Sequence, residues 1–388
     1  MKNNKKFLFK FIFFTIIILL IIKKYYYFFH SFENISKIQG INYLNRCLNS
    51  LNNFKNFSNF ELFNFKENPK ITVIIPVYNC QKSIKLSLTS ILNQKIPEFE
   101  IILINDNSND NTSIIINEMK KYDNRIKVID NHKNMGTLYS RSIGALNAKG
   151  RYIFSLDNDD VFLNEDIFDK IINIAEKHNY DIVEFKSFDI PNYQPEIKDI
   201  EQHFFNFHSN KLILHQPKLG IFPISRNEEY FSNDFLIWGK CIKTKLYKMS
   251  VNALGQKRFS IYNCWTEDIS IIFVIFNLAN SYIFVNKYGI FHLKSKITST
   301  FTLQQEHKIF SEIYLLDIII DFMKEAENNK KLIIFKAYDI LEKIKNYKLS
   351  KVNKNYLNLI LHKILDLKYI NQYDKNNLTK KFNEFIIY

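Results

Sequence analysis

The succession of short apolar runs and amphipathic segments between Ile71 and Leu156 predicts an α/β protein built on a doubly wound, mostly parallel sheet. Two observations carry that expectation. Runs rich in Ile, Val and Phe recur four times, and the first three are each followed by a segment whose apolar residues repeat at helical spacing. An acidic cluster, Asp157-Asn158-Asp159-Asp160, then closes the fourth run, on the edge where sheets of this kind bind ligands.

The elements follow in order. Ile71–Pro76 (ITVIIP) is expected as the first strand and Gln81–Leu92 as the first helix. Glu100–Asn105 (EIILIN) makes the second strand, with a helix from Thr112 to Lys121. Arg125–Asp130 (RIKVID) makes the third strand, followed by a helix over Thr137–Ala148. Gly150 punctuates the start of the fourth strand, Arg151–Leu156, and Asp181–Phe188 adds a further one. Right-handed crossovers place the loops that follow these strands together on one edge.

Outside this core the chain divides into a stretch at 1–30, a stem at 31–70, halves at 71–190 and 191–300, and a helical, Lys-rich region at 301–388. Phe11 to Ile22 is apolar apart from Thr15, and the apolar zone over residues 7–29 approaches the ~20 residues needed to span a bilayer. No small-residue cleavage site follows, so a retained membrane anchor is expected. Lys2, Lys5, Lys6 and Lys10 precede it against Lys23 and Lys24 after it, which favours a cytosolic N-terminus and a luminal or external body. The alternative is an interfacial segment with the body in the cytosol. The net charge of +14 comes from lysines spread along the chain, with no basic run interleaved with stacking aromatics, so nucleic acid is not expected as a partner. The four cysteines show no metal-type spacing.

The acidic cluster bears chemistry. Carboxylates this close repel one another unless a cation lies between them. Hard divalent cations (Mg²⁺ or Mn²⁺) take oxygen ligands, and Mg²⁺ commonly combines one or two carboxylates with substrate phosphates. The alternative is a solvated loop. The same edge gathers Pro76-Val77-Tyr78-Asn79 after the first strand, Asn105-Asp106-Asn107-Ser108 after the second, and Asn134-Met135-Gly136 opening the helix that carries Arg141. A ring, a carboxylate, a helix N-terminus, an Arg and a cation site meet the needs of a nucleoside diphosphate.

With those residues in view, Ile71 to Leu163 resembles the family 2 glycosyltransferases of the GT-A, Rossmann-like fold. ITVIIPVYN, ILINDNSNDNT, NMGTLYSRSIGALNAKG and RYIFSLDNDD match in order and spacing. The resemblance implies a sugar-nucleotide donor, most often a UDP-sugar. It implies that Pro76 and Tyr78 flank the uracil, that Asp106 accepts from the base, and that Arg141 lies on the donor side. Asp157, Asp159 and Asp160 are implied as the site for ribose and a divalent metal (Mn²⁺ or Mg²⁺), with Asp160 the foremost candidate for metal contact. The Ser142 that follows Arg141 departs from the family's usual Ala-Arg-Asn.

In the second half, Trp238 to Tyr247 loosely resembles the acceptor-side segment, and Trp265-Thr266-Glu267-Asp268 resembles its acidic pair. An inverting transfer needs a carboxylate to take the acceptor hydroxyl's proton, and Asp268 is assigned that role with Glu267 as substitute or neighbour. The bland alternative is an acidic pair favoured at a helix N-terminus by the macrodipole. Phe291-His292-Leu293 resembles the segment closing the site, which makes His292 a candidate for the metal or the diphosphate. The sequence therefore leads to a membrane-anchored, metal-assisted glycosyltransferase acting on a glycan, protein or lipid-linked acceptor. Its rival is an inactive, membrane-tethered binding protein of the same fold.

Overall fold

The computed structural model describes residues 39–40, 42–43, 46–47, 69–191, 236–255, 266–294, 305–323, 337–338, 340–342, 351–368 and 370–386. The expected anchor at 7–29 and Trp265 lie outside them. Among the described residues, no helix is long and apolar enough to cross a membrane.

The strands β1 (Ile71–Val77) and β2 (Phe99–Asn105) are buried at every residue, as strands covered on both faces must be. Alternation along them divides the core in two. Ile71, Val73, Ile75, Ile101 and Leu103 face one side, where α1 (Ile84–Leu92), α2 (Thr112–Tyr122) and α4 (Ile167–His178) pack. Ile74, Ile102 and Ile104 face the other, under α3 (Thr137–Asn147), α5 (Thr244–Leu254) and α6 (Glu267–Leu278). That second layer continues into α7 (Gln305–Met323), α8 (Lys351–Leu365) and α9 (Gln372–Ile386). Among the described residues of 301–388, these helices extend one face of the core.

The remaining strands are β3 (Ile126–Asp130), β4 (Tyr152–Ser155), β5 (Val161–Phe162), β6 (Ile182–Pro191), β7 (Lys240–Lys243) and β8 (Tyr282–Lys294). Among the described residues, eight strands form one sheet in the order β3-β2-β1-β4-β7-β6-β8-β5. The β3-β2-β1-β4 portion is parallel throughout. Beyond β4 the sheet is mixed rather than mostly parallel: β7 runs antiparallel to β4 and β6, and β5 runs antiparallel to β8. A four-residue strand such as KCIK is too short for its direction to be read from periodicity. The order reverses between β1 and β4, which opens a crevice at their carboxyl ends.

Boundaries differ for identifiable reasons. The first helix starts at Ile84 rather than Gln81, because Ser83 and Ile84 both donate to the Cys80 carbonyl in a turn while Gln81 is drawn into the neighbouring loop. Helix α3 lies close on the sheet because Gly144 has no Cβ. One built there would sit 2.6 Å from Ile74 Cγ2 and 2.8 Å from Ile104 Cδ1.

Candidate active site

β1 ends with the buried Pro76 and Val77, and the chain then presents Tyr78, 44% exposed. Reciprocal hydrogen bonds lock the loop after β1 to the loop after β2. Asn79 N–H donates to Ser108 Oγ at 3.1 Å, and Asn109 N–H returns to Asn79 Oδ1 at 2.8 Å. Cys80 N–H donates to Thr112 Oγ1 at 2.8 Å, and Asn111 N–H donates to Gln81 Oε1 at 3.0 Å. Asn79 and Asn107 sit at φ 47° and 61°, a left-handed conformation that Asn tolerates better than most residues. The loops are thus fixed by their own side chains, with the Tyr78 ring left outward.

Asp106 lies in the expected place but is committed differently from the expectation. Its Oδ1 accepts from Asn131 Nδ2 at 2.8 Å and from Met135 N–H at 2.7 Å, while Oδ2 accepts from Gly136 N–H at 2.8 Å. It is 4% exposed. Gly136, at φ 86°, turns the chain so that these amides point inward at the start of α3. Asp106 therefore holds the 131–136 loop through three accepted hydrogen bonds.

The acidic turn is held from behind by the polar stripe of α1. Ser87 Oγ lies 2.9 Å from the Asn158 carbonyl and 2.6 Å from the Asp160 carbonyl, and Ser90 Oγ accepts from Phe162 N–H at 3.1 Å. Asn158 Nδ2 donates to the Pro76 carbonyl at 3.0 Å, which ties the turn to the end of β1. Ser87, Ser90, Asn158 and Asn131 were not singled out in the sequence. Serines at helical spacing (83, 87, 90) on a helix that must bury that face were the available signal.

The three carboxylates diverge. Asp160 is fully buried, with Oδ1 accepting from Leu293 N–H at 2.9 Å and both oxygens 3.0 Å from His292 Nδ1. Burial pushes its carboxyl up and His292 opposes the shift. Both Asp160 oxygens thus have partners within the protein, one of them the other metal candidate, His292. The His292 ring stacks on Trp238 at 4.9 Å between centroids. Asp159 is half-buried, and among the described residues no other residue hydrogen-bonds its carboxylate. Burial, then the charges of Asp160 and Asp157, push it up to about 8.

Asp157 turns the other way, toward α3 and α6. Arg141 Nη2 donates to Asp157 Oδ1 at 2.5 Å, and Arg141 Nη1 donates to Asp268 Oδ1. Burial alone would disfavour the guanidinium's charge, but Asp268, Asp157 and Glu267 outweigh it and hold the group protonated. Burial pushes Asp268 up to about 6 against the pull of Arg141. Burial and the adjacent Asp268 push Glu267 up to about 8. One guanidinium therefore bonds both the acidic turn and the first turn of α6.

Residues 72–236 match the family profile described as Glycosyl transferase family 2. A Haemophilus influenzae protein described as an uncharacterized glycosyltransferase is 28% identical over 223 residues, 50% of this chain and 69% of that protein. A Bacillus subtilis protein, the uncharacterized glycosyltransferase EpsJ, is 35% identical over 115 residues, 30% of this chain and 33% of its own. A Staphylococcus aureus poly(ribitol-phosphate) beta-N-acetylglucosaminyltransferase, TarP, is 33% identical over 117 residues, covering 29% and 35%. The chain thus spans only about a third of two of these three relatives. In fold, the chain resembles residues 1–349 of S. aureus TarS in complex with UDP-GlcNAc, at TM-score 0.51 and 15% identity over 81% of this chain and 92% of that one. It is over residues 72–236 that this chain carries the profile of glycosyl transferase family 2.

Proposed function

We propose that the chain transfers a sugar from a nucleotide-sugar donor, a UDP-sugar by preference, to an acceptor hydroxyl with inversion, from a body anchored to a membrane by residues 7–29. The observation that carries this reading is the shared guanidinium: Asp157 on the donor edge and Asp268 at the start of α6 both bond to Arg141, so donor and base occupy one cleft.

Each residue then has a part. Pro76 and Tyr78 hold the base at the end of β1, and Asp106 fixes the wall beside it. Asp268 takes the proton from the acceptor hydroxyl as its oxygen bonds to the anomeric carbon. The bond from that carbon to the diphosphate oxygen breaks, and its electron pair leaves with the nucleoside diphosphate. Glu267 stays protonated beside it at neutral pH, consistent with its upward shift.

The residues suit a divalent cation (Mn²⁺ or Mg²⁺) of a particular kind. Among the described residues, no three His, Cys, Asp or Glu side chains converge as a metal cage. Asp159, crowded by two like charges, suits a cation completed by diphosphate oxygens and water. When bound, such a cation neutralises charge on the departing diphosphate. Asp159 is the candidate ligand, with Asp157 beside it and Asp160 behind it holding His292.

The test is nucleotide release by the full-length chain in detergent from a panel of sugar nucleotides, with and without Mn²⁺. Release of UDP from one donor, lost without metal and in Asp159→Asn, is the expected result. UDP binding with no transfer to any acceptor would favour the inactive binding protein, and absence of nucleotide binding would overturn the reading. Protease protection in sealed vesicles tests the luminal or external placement of the body.

A further inference from the structure

We propose that Arg141 is a positioning residue, which clamps the donor-side Asp157 to Asp268 and so aims the acceptor-activating carboxylate, rather than a ligand of the donor's phosphates. This rests on the transfer reading above. The guanidinium is 3% exposed, and each of its two terminal nitrogens is spent on a carboxylate from a different region of the chain. Its third nitrogen, Nε, is sealed from solvent and has no hydrogen-bond partner among the described residues, so it offers a phosphate no approach. The Tyr247 hydroxyl is also buried, and the Arg141 charge opposes the upward push that burial gives it.

An incoming phosphate oxygen would have to displace Asp157 or Asp268 from a charge-assisted bond and leave that carboxylate unbalanced among Asp159, Asp160 and Glu267. A planar guanidinium suits the bridging role because its two arms reach two carboxylates in fixed relative orientation, which an ammonium cannot reproduce. Fixing Oδ1 of Asp268 sets the rotation of the carboxylate and hence the direction of Oδ2. The seat of Arg141 is itself determined: α3 is brought down on β1 and β2 at Gly144, one helical turn further along. The clamp therefore couples the sheet's donor edge to the first turn of α6.

The full-length chain in detergent, carrying Arg141→Met, Arg141→Lys, Asp268→Asn and the Met/Asn pair, tests this by UDP affinity, kcat and melting. We expect Arg141→Met to lower kcat about 100-fold, the cost of a misplaced catalytic group, with UDP affinity changed less than about threefold. Adding it to Asp268→Asn should cost less than about threefold more, and the melting shifts of the pair should be non-additive. Arg141→Lys should fall between Met and wild type in kcat. A UDP affinity about tenfold weaker in Arg141→Lys with kcat retained would overturn the proposal, as would an undiminished loss in the Asp268→Asn background or additive melting shifts. If Arg141→Met does not fold, Arg141→Lys decides by the same split between kcat and affinity. Failure of the wild type to transfer would refute the transfer reading, while the melting cycle still judges the clamp.

Discussion

The donor edge, at the ends of β1, β2 and β4, and the acceptor edge, at the start of α6 and the end of β8, are built differently. The loops of the donor edge bond to one another and to the helices beside them: Asn79 with Ser108 and Asn109, Asp106 with Met135 and Gly136, Ser87 with the acidic turn. Its geometry is largely complete within residues 71–163. Among the described residues, the acceptor edge is tied to distant elements: to the donor edge by Arg141–Asp268 and Asp160–His292, and to α7 by Thr266 Oγ1, which donates to the Ser311 carbonyl. A surface that receives a nucleotide gains from being rigid in advance, whereas a base delivered from a distant segment takes its position from whatever anchors it.

Five measurements break or sharpen that contrast. The largest effect is expected from Asp268→Asn, which should lower kcat about 1,000-fold while UDP affinity stays within about threefold. Equal losses in both would mean that the two edges are not separable. Next is Gly144→Leu, whose side chain meets Ile74 and Ile104 and should cost about 2 kcal/mol or more in urea unfolding. It should lower kcat beyond its effect on stability, because α3 carries Arg141; an unchanged kcat in folded protein would detach the edges from that helix.

Asp106→Ala should weaken UDP binding about tenfold by releasing the amides of Met135 and Gly136, the loss of two to three hydrogen bonds to a charged acceptor. Tyr78→Ala should weaken it about fivefold, the value of one aromatic stack. If Tyr78 proves the larger of the two in calorimetry, the preformed wall matters less than the ring.

The smallest effect is on stability against pH. Asp159 and Glu267 are pushed up to about 8, and Asp268 to about 6. A carboxyl with a raised folded pKa binds its proton more tightly when folded, so its stabilising contribution is present at low pH and lost as pH rises through those values. Glu100, Asp110 and Asp181 act in the opposite sense, burial being outweighed by hydrogen bonds from Lys127, Thr112 and Lys243 respectively. Their contribution is lost as pH falls below the ordinary values of 4.5 and 3.8. Melting without metal should therefore peak near pH 5 and decline by a few degrees toward pH 8. Mn²⁺ should restore the decline at pH 8 and not at pH 5. A flat profile would mean that the acidic cluster is already balanced.

Legibility followed the same division. β1 and β2 were readable because strands buried on both faces must be continuous runs of Ile, Val and Leu, and Ile71–Val77 and Phe99–Asn105 are such runs. β7 was not readable in direction, since four residues with a Lys at each end carry no period. Trp238 could be named but not placed; its stacking on His292 is a pairing across 54 positions, and no local pattern contains it.

The sequence by itself determined the parallel half of the sheet, the edge on which the site lies, and which residue types gather there, because strand and helix periodicity and turn chemistry are local. Only the tertiary structure decided what each of those residues does. It committed Asp106 to a loop, turned Asp160 inward to His292, left the half-buried Asp159 carboxylate without a hydrogen-bond partner among the described residues, and closed Arg141 between Asp157 and Asp268. A carboxylate's role is set by which donors reach it, and here many of those donors arrive from elements far away in the chain.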